Sequence, residues 1–173
     1  MEKEKRRSYF APPFRRLMMI AFLCSFLVTS TVSATEYVLN AASIEEFKNG
    51  IRYDGEGELI IEIEEDVTIA GGGNAGIEST APVTIKNATE RTLTIVVDSD
   101  EEFLYGIKAP SITIESGNID ITVHGKNDSG GSNTFGLDGG NVETDSADDG
   151  VIISGGLVVI NSSGGAARNY GID

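Results

Sequence analysis

The chain is poor in residues that form crosslinks or catalyse reactions: its 173 residues contain one cysteine and one histidine. The cysteine, Cys24, lies in an apolar run near the N-terminus, so no disulfide can hold the remaining chain together. Stability must therefore come from core burial and from repetition. The 139 residues after position 34 are enough for one domain with its own core.

Basic residues are scarce after residue 34. That part of the chain holds 7 Lys and Arg against 25 Asp and Glu, a formal charge of −18. This sign argues against nucleic acid and anionic membranes as partners, because both bind through a positive footprint. It favours divalent cations, since calcium prefers several oxygen ligands. The alternative, which suits most of these carboxylates individually better, is that they only keep the protein soluble.

Residues 1–34 have the pattern of a signal peptide. A basic segment precedes the apolar run Leu17–Val28, whose 12 residues are too few to span a bilayer comfortably. Val32-Ser33-Ala34 then provides small residues for cleavage before Thr35. We therefore expect a secreted or cell-surface protein that has no membrane segment after cleavage. A retained signal anchor is the alternative.

Residues 35–70 predict an N-terminal cap and a first turn. Ser43-Ile44-Glu45-Glu46 has the form of a capping box, in which the Ser43 hydroxyl accepts a hydrogen bond from the Glu46 N–H. Ile44, Phe47 and Ile51 would then give a short helix one apolar face. Period-2 strands are expected on both sides of this helix.

From residue 71 to 173 the sequence repeats, which outweighs any local signal. An anchor of four residues, containing Gly, an aliphatic residue and a charged residue in that order, recurs with spacings of 30, 30 and 35. The four anchors are Ala75–Glu78, Tyr105–Lys108, Phe135–Asp138 and Tyr170–Asp173. Two further period-2 strands lie between successive anchors, separated by Gly-rich corners.

Three short strands in every unit predict an all-β fold, a right-handed three-sided parallel β-helix with a short N-terminal capping helix. A sandwich would not repeat one three-strand unit, and a propeller blade needs four strands and about 40 residues. In a parallel solenoid equivalent residues stack on one another. Strict alternation then predicts an interior ladder, with the charged residues Glu78, Lys108 and Asp138 facing water. The ladder consists of Ile77, Ile107, Leu137 and Ile172.

The aromatic residues of the anchors invite a sugar-stacking interpretation. Tyr105, Phe135 and Tyr170 each lie two residues before an aliphatic position that is expected to point inward. Alternation places residues two apart on the same face. We therefore predict an internal aromatic stack, with sugar stacking as the alternative.

The array stops at Asp173, on the first strand of a new turn. An uncapped solenoid end exposes unpaired strand edges. We therefore expect that the chain is a C-terminally truncated fragment, or that another chain covers this end. The isolated chain is expected to self-associate end to end.

With these residues in view, a family resemblance can be named. Ser111–Val123 and Gly150–Asn161 look like the I-x-I-x-G-G-x-V-x-V units of secreted Gram-positive bacterial proteins with a β-helical carbohydrate-binding domain. These belong to the wider pectin-lyase-like superfamily, whose N-terminal cap residues 43–69 resemble. The resemblance covers residues 37–173 and implies a surface protein that binds acidic polysaccharide, directly or through calcium.

The richest acidic segment is residues 138–150, the insertion that lengthens the last unit. Asp138, Asp145, Asp148 and Asp149 could supply converging oxygens for calcium, together with carbonyls freed by neighbouring glycines. The segment matches neither the spacing of an EF-hand nor the nonapeptide repeat of calcium-binding β-rolls. A calcium site and a solvated acidic loop both stay open as interpretations.

No complete catalytic set is visible in the sequence. The superfamily's lyases need a basic group beside a calcium-bound uronate, and its hydrolases need paired carboxylates. His124 stands alone, and the counterparts of Lys108 in the other anchors are acidic. We expect a noncatalytic extracellular polysaccharide-binding or adhesion module. The alternatives are the N-terminal fragment of a polysaccharide lyase or hydrolase, and a structural stalk.

Overall fold

The computed structural model describes residues 32–71, 73–87, 90–126, 131–140, 150–164 and 168–173. Residues 1–31, which form most of the predicted signal peptide, therefore lie outside the described residues. In the described ranges, no helix is long and apolar enough to cross a membrane. The elements are β1 (Thr35–Leu39), α1 (Ile44–Phe47), β2 (Ile51–Tyr53), β3 (Leu59–Ile63), β4 (Val67–Ala70), β5 (Ala75–Ser79), β6 (Val83–Asn87), β7 (Thr92–Ser99), β8 (Phe103–Lys108), β9 (Ser111–Ile114), β10 (Asn118–Gly125), β11 (Asn133–Asp138), β12 (Gly150–Ile153), β13 (Leu157–Ser163) and β14 (Asn169–Ile172).

The strands form three parallel sheets. Sheet A has the order β1-β3-β6-β9-β12, sheet B has β2-β5-β8-β11-β14, and sheet C has β4-β7-β10-β13. Every strand pairing among the described residues is parallel and joins a strand to its equivalent one turn away. The fold is a parallel β-solenoid of about four turns. The predicted all-β, three-sided parallel β-helix is confirmed.

Period-2 alternation supplies the core between the sheets. In β3, Leu59, Ile61 and Ile63 are buried while the residues between them are partly exposed. The first two pair with Val83 and Ile85 of β6, so equivalent aliphatic side chains lie above one another. Each buried aliphatic side chain contributes roughly 1.5–3 kcal/mol. Repetition of these rows stabilises a solenoid that has no disulfide to rely on.

The predicted interior ladder is present on sheet B. Ile77 pairs with Ile107, Ile107 with Leu137, and Leu137 with Ile172. The first three side chains are fully buried, whereas Ile172 is 53 % exposed. The ladder is therefore confirmed in register at all four positions and in burial at three of them.

The anchor glycines do not follow strict alternation. A Cβ on Gly106 would overlap Ile121 Cγ2 in the core and the carbonyl oxygen of Gly136 one turn away. Gly106 therefore faces inward, and Ile107 beside it is also fully buried in the core. The paired positions of β8 and β11 accordingly pass from Tyr105 directly to Ile107, without a partner for the glycine.

Two successive inward positions displace the aromatic residue to the outside, so the predicted internal aromatic stack is wrong. Tyr105 is only 8 % exposed, yet it does not belong to the core cluster. Its ring lies under the ammonium group of Lys108, at 4.7 Å from Nζ to the ring centroid, on the outer face of sheet B. Alternation fails here because only glycine fits the crowded position between the aromatic and the aliphatic residue.

The N-terminal cap is smaller than predicted, and its capping box is absent. Helix α1 has four residues and no side-chain cap at Ser43. The Ser43 hydroxyl instead donates to the Val38 carbonyl at 2.6 Å and accepts from the Asn40 N–H at 3.0 Å. Ile44 and Phe47 pack against the core as expected, whereas Ile51 starts strand β2.

The last turn carries most of the exposed aliphatic surface. In the described chain, β12, β13 and β14 each pair on one side only. Ile152 is 61 % exposed and Leu157 is 60 % exposed. End-to-end association through these strands stays a prediction.

The anchor glycine offers a stability test with an internal control. We expect Gly106→Ala to lower the free energy of unfolding by about 1–3 kcal/mol, because the added methyl group overfills a packed position. At the equivalent Gly171, no described atom lies within 4 Å of the place that an added methyl group would take, so Gly171→Ala should change stability little. Urea unfolding of both variants measures the difference. Equal stability of the two variants would contradict the inward orientation of Gly106.

Candidate functional site

A row of charged residues runs along the outer face of sheet B, parallel to the solenoid axis. Arg52 pairs with Glu78, Glu78 with Lys108, and Lys108 with Asp138. Asp173 follows the partner of Leu137 and thus lies beside Asp138. We call these five residues the charge column. Its first four positions alternate in sign, and neighbouring strands are about 4.8 Å apart.

Ion pairs hold the first three members of the charge column in place. Arg52 Nε lies 3.3 Å from Glu78 Oε2, and Lys108 Nζ lies 3.9 Å from Glu78 Oε1. Arg52 Nη2 also donates to the carbonyl oxygen of Ala75 at 3.0 Å. The three charged side chains remain 35–41 % exposed. Such exposed pairs contribute little stability, so their main consequence is a fixed pattern of accessible charge.

Two neighbouring shallow cavities follow the charge column at the corner where the strands of sheet B end. The larger, about 420 Å³, is lined by Arg52, Tyr53, Asp54, Glu78, Ser79, Thr80 and Lys108. The smaller, about 240 Å³, is lined by Ser79, Thr80, Lys108, Ala109, Pro110 and Gly140. Because they share residues and draw on four successive turns, we treat them as one feature, the corner groove. Its elongated form suits an extended ligand better than a compact one.

The aromatic residues beside the charge column stack on one another. The ring centroids of Tyr105 and Phe135 are 5.1 Å apart, and those of Phe135 and Tyr170 are 4.9 Å apart, with nearly parallel planes. Lys108 Nζ lies over the Tyr105 ring. The faces of Tyr105 and Phe135 are thus occupied by their neighbours. Each stacked pair contributes about 0.5–1.5 kcal/mol beyond area burial, so this row stabilises the sheet and offers a sugar little ring surface.

Electrostatics near the centre of the charge column favour neutral forms. Burial raises the pKa of the Tyr105 phenol, and the negative charges of Asp138 and Glu78 raise it further. Burial likewise raises the pKa of Asp138, and nearby Asp173 adds to this effect. The Gly140 N–H, which donates to Asp138 Oδ1 at 3.3 Å, and the charge of Lys108 oppose it. Asp138 is therefore a carboxylate under electrostatic strain.

Only one of the four predicted calcium ligands can be located. Asp138 ends β11 in the charge column, whereas Asp145, Asp148 and Asp149 lie outside the described residues. Among the residues that the structure describes, no group of three or more His, Cys, Asp and Glu is arranged to hold a metal. The calcium site stays a prediction that depends on residues 141–149.

His124 lies on the outer face of sheet C, in a row with Asp98 and Ser163. His124 Nδ1 is 3.1 Å from Ser163 Oγ, which resembles half of a nucleophilic triad. Asp98, however, pairs with Lys126 at 2.7 Å, and all three residues of the row are exposed. The row fits surface hydrogen bonding better than nucleophilic catalysis, for which water is excluded.

Arg52 was missed by the sequence analysis, although the signal was present. Gly50-Ile51-Arg52 has the same order of glycine, aliphatic and charged residue as Gly76-Ile77-Glu78. It lies 26 residues before that anchor rather than 30, and Gly50 also fits the end of the preceding helix. The pairing of Arg52 with Glu78 makes it the first member of the charge column.

Asp138 yields a test that separates strain from metal binding. A folded-state pKa raised above the unfolded value means that the ionised carboxylate disfavours folding at neutral pH. We expect Asp138→Asn to raise the melting temperature at pH 7, and the gain to disappear as pH falls towards the ordinary value of 3.8. Asp100→Asn, at an exposed corner, is the control and should change little.

The same variant tests the calcium prediction. If Asp138 binds calcium, the ion should raise the melting temperature of the wild type, and Asp138→Asn should lose that increment. Identical wild-type melting curves in millimolar calcium and in chelator would leave only the solvated acidic loop.

Comparisons with known proteins add no relative to this picture. No protein-family model, curated protein or solved structure matches the chain. The solenoid fold therefore rests on the strand pairing described above, and function must be argued from the surface of sheet B.

Proposed function

We propose that the protein is a noncatalytic extracellular module that binds acidic polysaccharide through the corner groove and the charge column. The observation that carries this proposal is the presence of Arg52 and Lys108 in one cavity of about 420 Å³. They are two of only seven basic residues after position 34. A chain of charge −18 thus concentrates scarce cations along one elongated groove.

The chemistry of these two side chains suits carboxylates. A guanidinium group matches a carboxylate with two parallel hydrogen bonds, and an ammonium group binds it as a point charge. Glu78 contacts both cations and fixes their positions before any ligand arrives. Such preorganisation lowers the entropy cost of binding.

Two expectations from the sequence support the same function. The predicted signal peptide exports the protein to where polysaccharides occur. The resemblance to secreted bacterial proteins with β-helical carbohydrate-binding domains implies a glycan ligand. A noncatalytic role is favoured because Lys108, a candidate base at the groove, is paired with Glu78 and lies over the Tyr105 ring.

The proposal is tested by a glycan array followed by titration calorimetry with the acidic glycan that binds best. We expect Lys108→Met to weaken binding roughly 10-fold to 100-fold, the value of a hydrogen bond to a charged group. Lys86→Met is the matched control. Lys86 makes equivalent ion pairs with Glu36 and Glu62 on sheet A, so its loss removes the same charge from another face.

Two results would contradict the proposal. Equal binding by the Lys108 and Lys86 variants would remove the groove from the account. Formation of unsaturated uronate products, detected by their ultraviolet absorbance, would instead favour the lyase alternative.

A further inference from the structure

We propose that the charge column selects polysaccharides in which an acidic sugar alternates with a neutral one. The polymer lies along the solenoid axis, with one sugar facing each turn. This inference rests on the proposed function and adds the class of polymer to it. Its basis is the alternation of Arg52, Glu78, Lys108 and Asp138 in consecutive paired positions.

The repeat of the column fits a disaccharide. Arg52 and Lys108 are separated by two strand spacings, which is roughly 10 Å along the axis. An extended chain of pyranose sugars advances by a distance close to one strand spacing per sugar. Carboxylates on every second sugar therefore meet the two cations together. The neutral sugars between them face Glu78 and Asp138.

The acidic members of the column supply discrimination. Glu78 and Asp138 can accept hydrogen bonds from the hydroxyl groups of a neutral sugar. A polymer with a carboxylate on every sugar would bring like charges against both side chains, which costs binding energy. Glu78 cannot easily turn away, because it contacts Arg52 at 3.3 Å and Lys108 at 3.9 Å.

The exposure of the column permits such contacts. The side chains of Arg52, Glu78 and Lys108 are 35–41 % exposed, so each has surface that a ligand can reach. The corner groove runs beside them and includes the exposed Thr80. A bound polymer therefore has both a charged row and a depression to follow.

The test compares hexasaccharides of equal length by calorimetry on the purified protein at low salt, where charge contacts are least screened. The probes are hyaluronan, which alternates glucuronate with N-acetylglucosamine, oligogalacturonate, which is acidic at every sugar, and a neutral cello-oligosaccharide. We expect hyaluronan to bind at least about tenfold tighter than oligogalacturonate, although it carries half as many carboxylates.

A charge variant tests whether Glu78 causes this preference. Glu78→Gln keeps the size of the side chain and should reduce the preference to about threefold or less, because oligogalacturonate gains affinity. Glu62→Gln on sheet A, where Glu62 pairs with Lys86, is the control and should keep the wild-type preference. Melting curves establish that both variants fold, and the wild-type comparison does not depend on either.

The outcomes separate this inference from the proposed function. Tighter or equal binding of oligogalacturonate by the wild type, or an unchanged preference in folded Glu78→Gln, overturns the alternating class while groove binding stands. Absence of binding to every acidic probe overturns both. Binding of the neutral probe alone also overturns both.

Discussion

The structure depends on one interaction, the in-register parallel pairing of each strand with its equivalent one turn away. This pairing puts Ile77 above Ile107 and Glu78 above Lys108. A residue type repeated in the sequence therefore becomes a row in space, inside or outside the solenoid. The aliphatic rows build the core, and the charged row builds a surface with the strand spacing as its period. Length variation is confined to the corners.

Glycine connects the packing of sheet B to its surface. Because the anchor glycines fill an inward position too narrow for a side chain, the residue before them turns outward. Tyr105 consequently lies beside Lys108, where its ring supports the ammonium group. A constraint of the core thus determines which side chains accompany the charge column. The same constraint leaves the aromatic faces occupied and the charges exposed.

The repeats were sufficient to predict the fold, because period-2 strands at regular spacing admit few alternatives. The side of the aromatic row was not predictable from alternation, since the glycine interrupts it. The capping box failed because the Ser43 hydroxyl finds the Val38 carbonyl instead of the helix terminus. Arg52 escaped notice since its anchor is closer in sequence than the others. These errors concern local contacts, which a sequence pattern does not contain.

The register itself is open to direct measurement by cysteine crosslinking in a Cys24→Ser background. Thr84 and Thr113 are paired on the outer face of sheet A, and neighbouring strands about 4.8 Å apart fall within disulfide range. Thr84→Cys with Thr113→Cys should therefore oxidise to an internal disulfide. Thr84→Cys with Ser111→Cys, displaced by two residues to roughly 8 Å, should stay reduced. Crosslinking of the displaced pair in preference to the paired one would contradict the stacking on which the charge column depends.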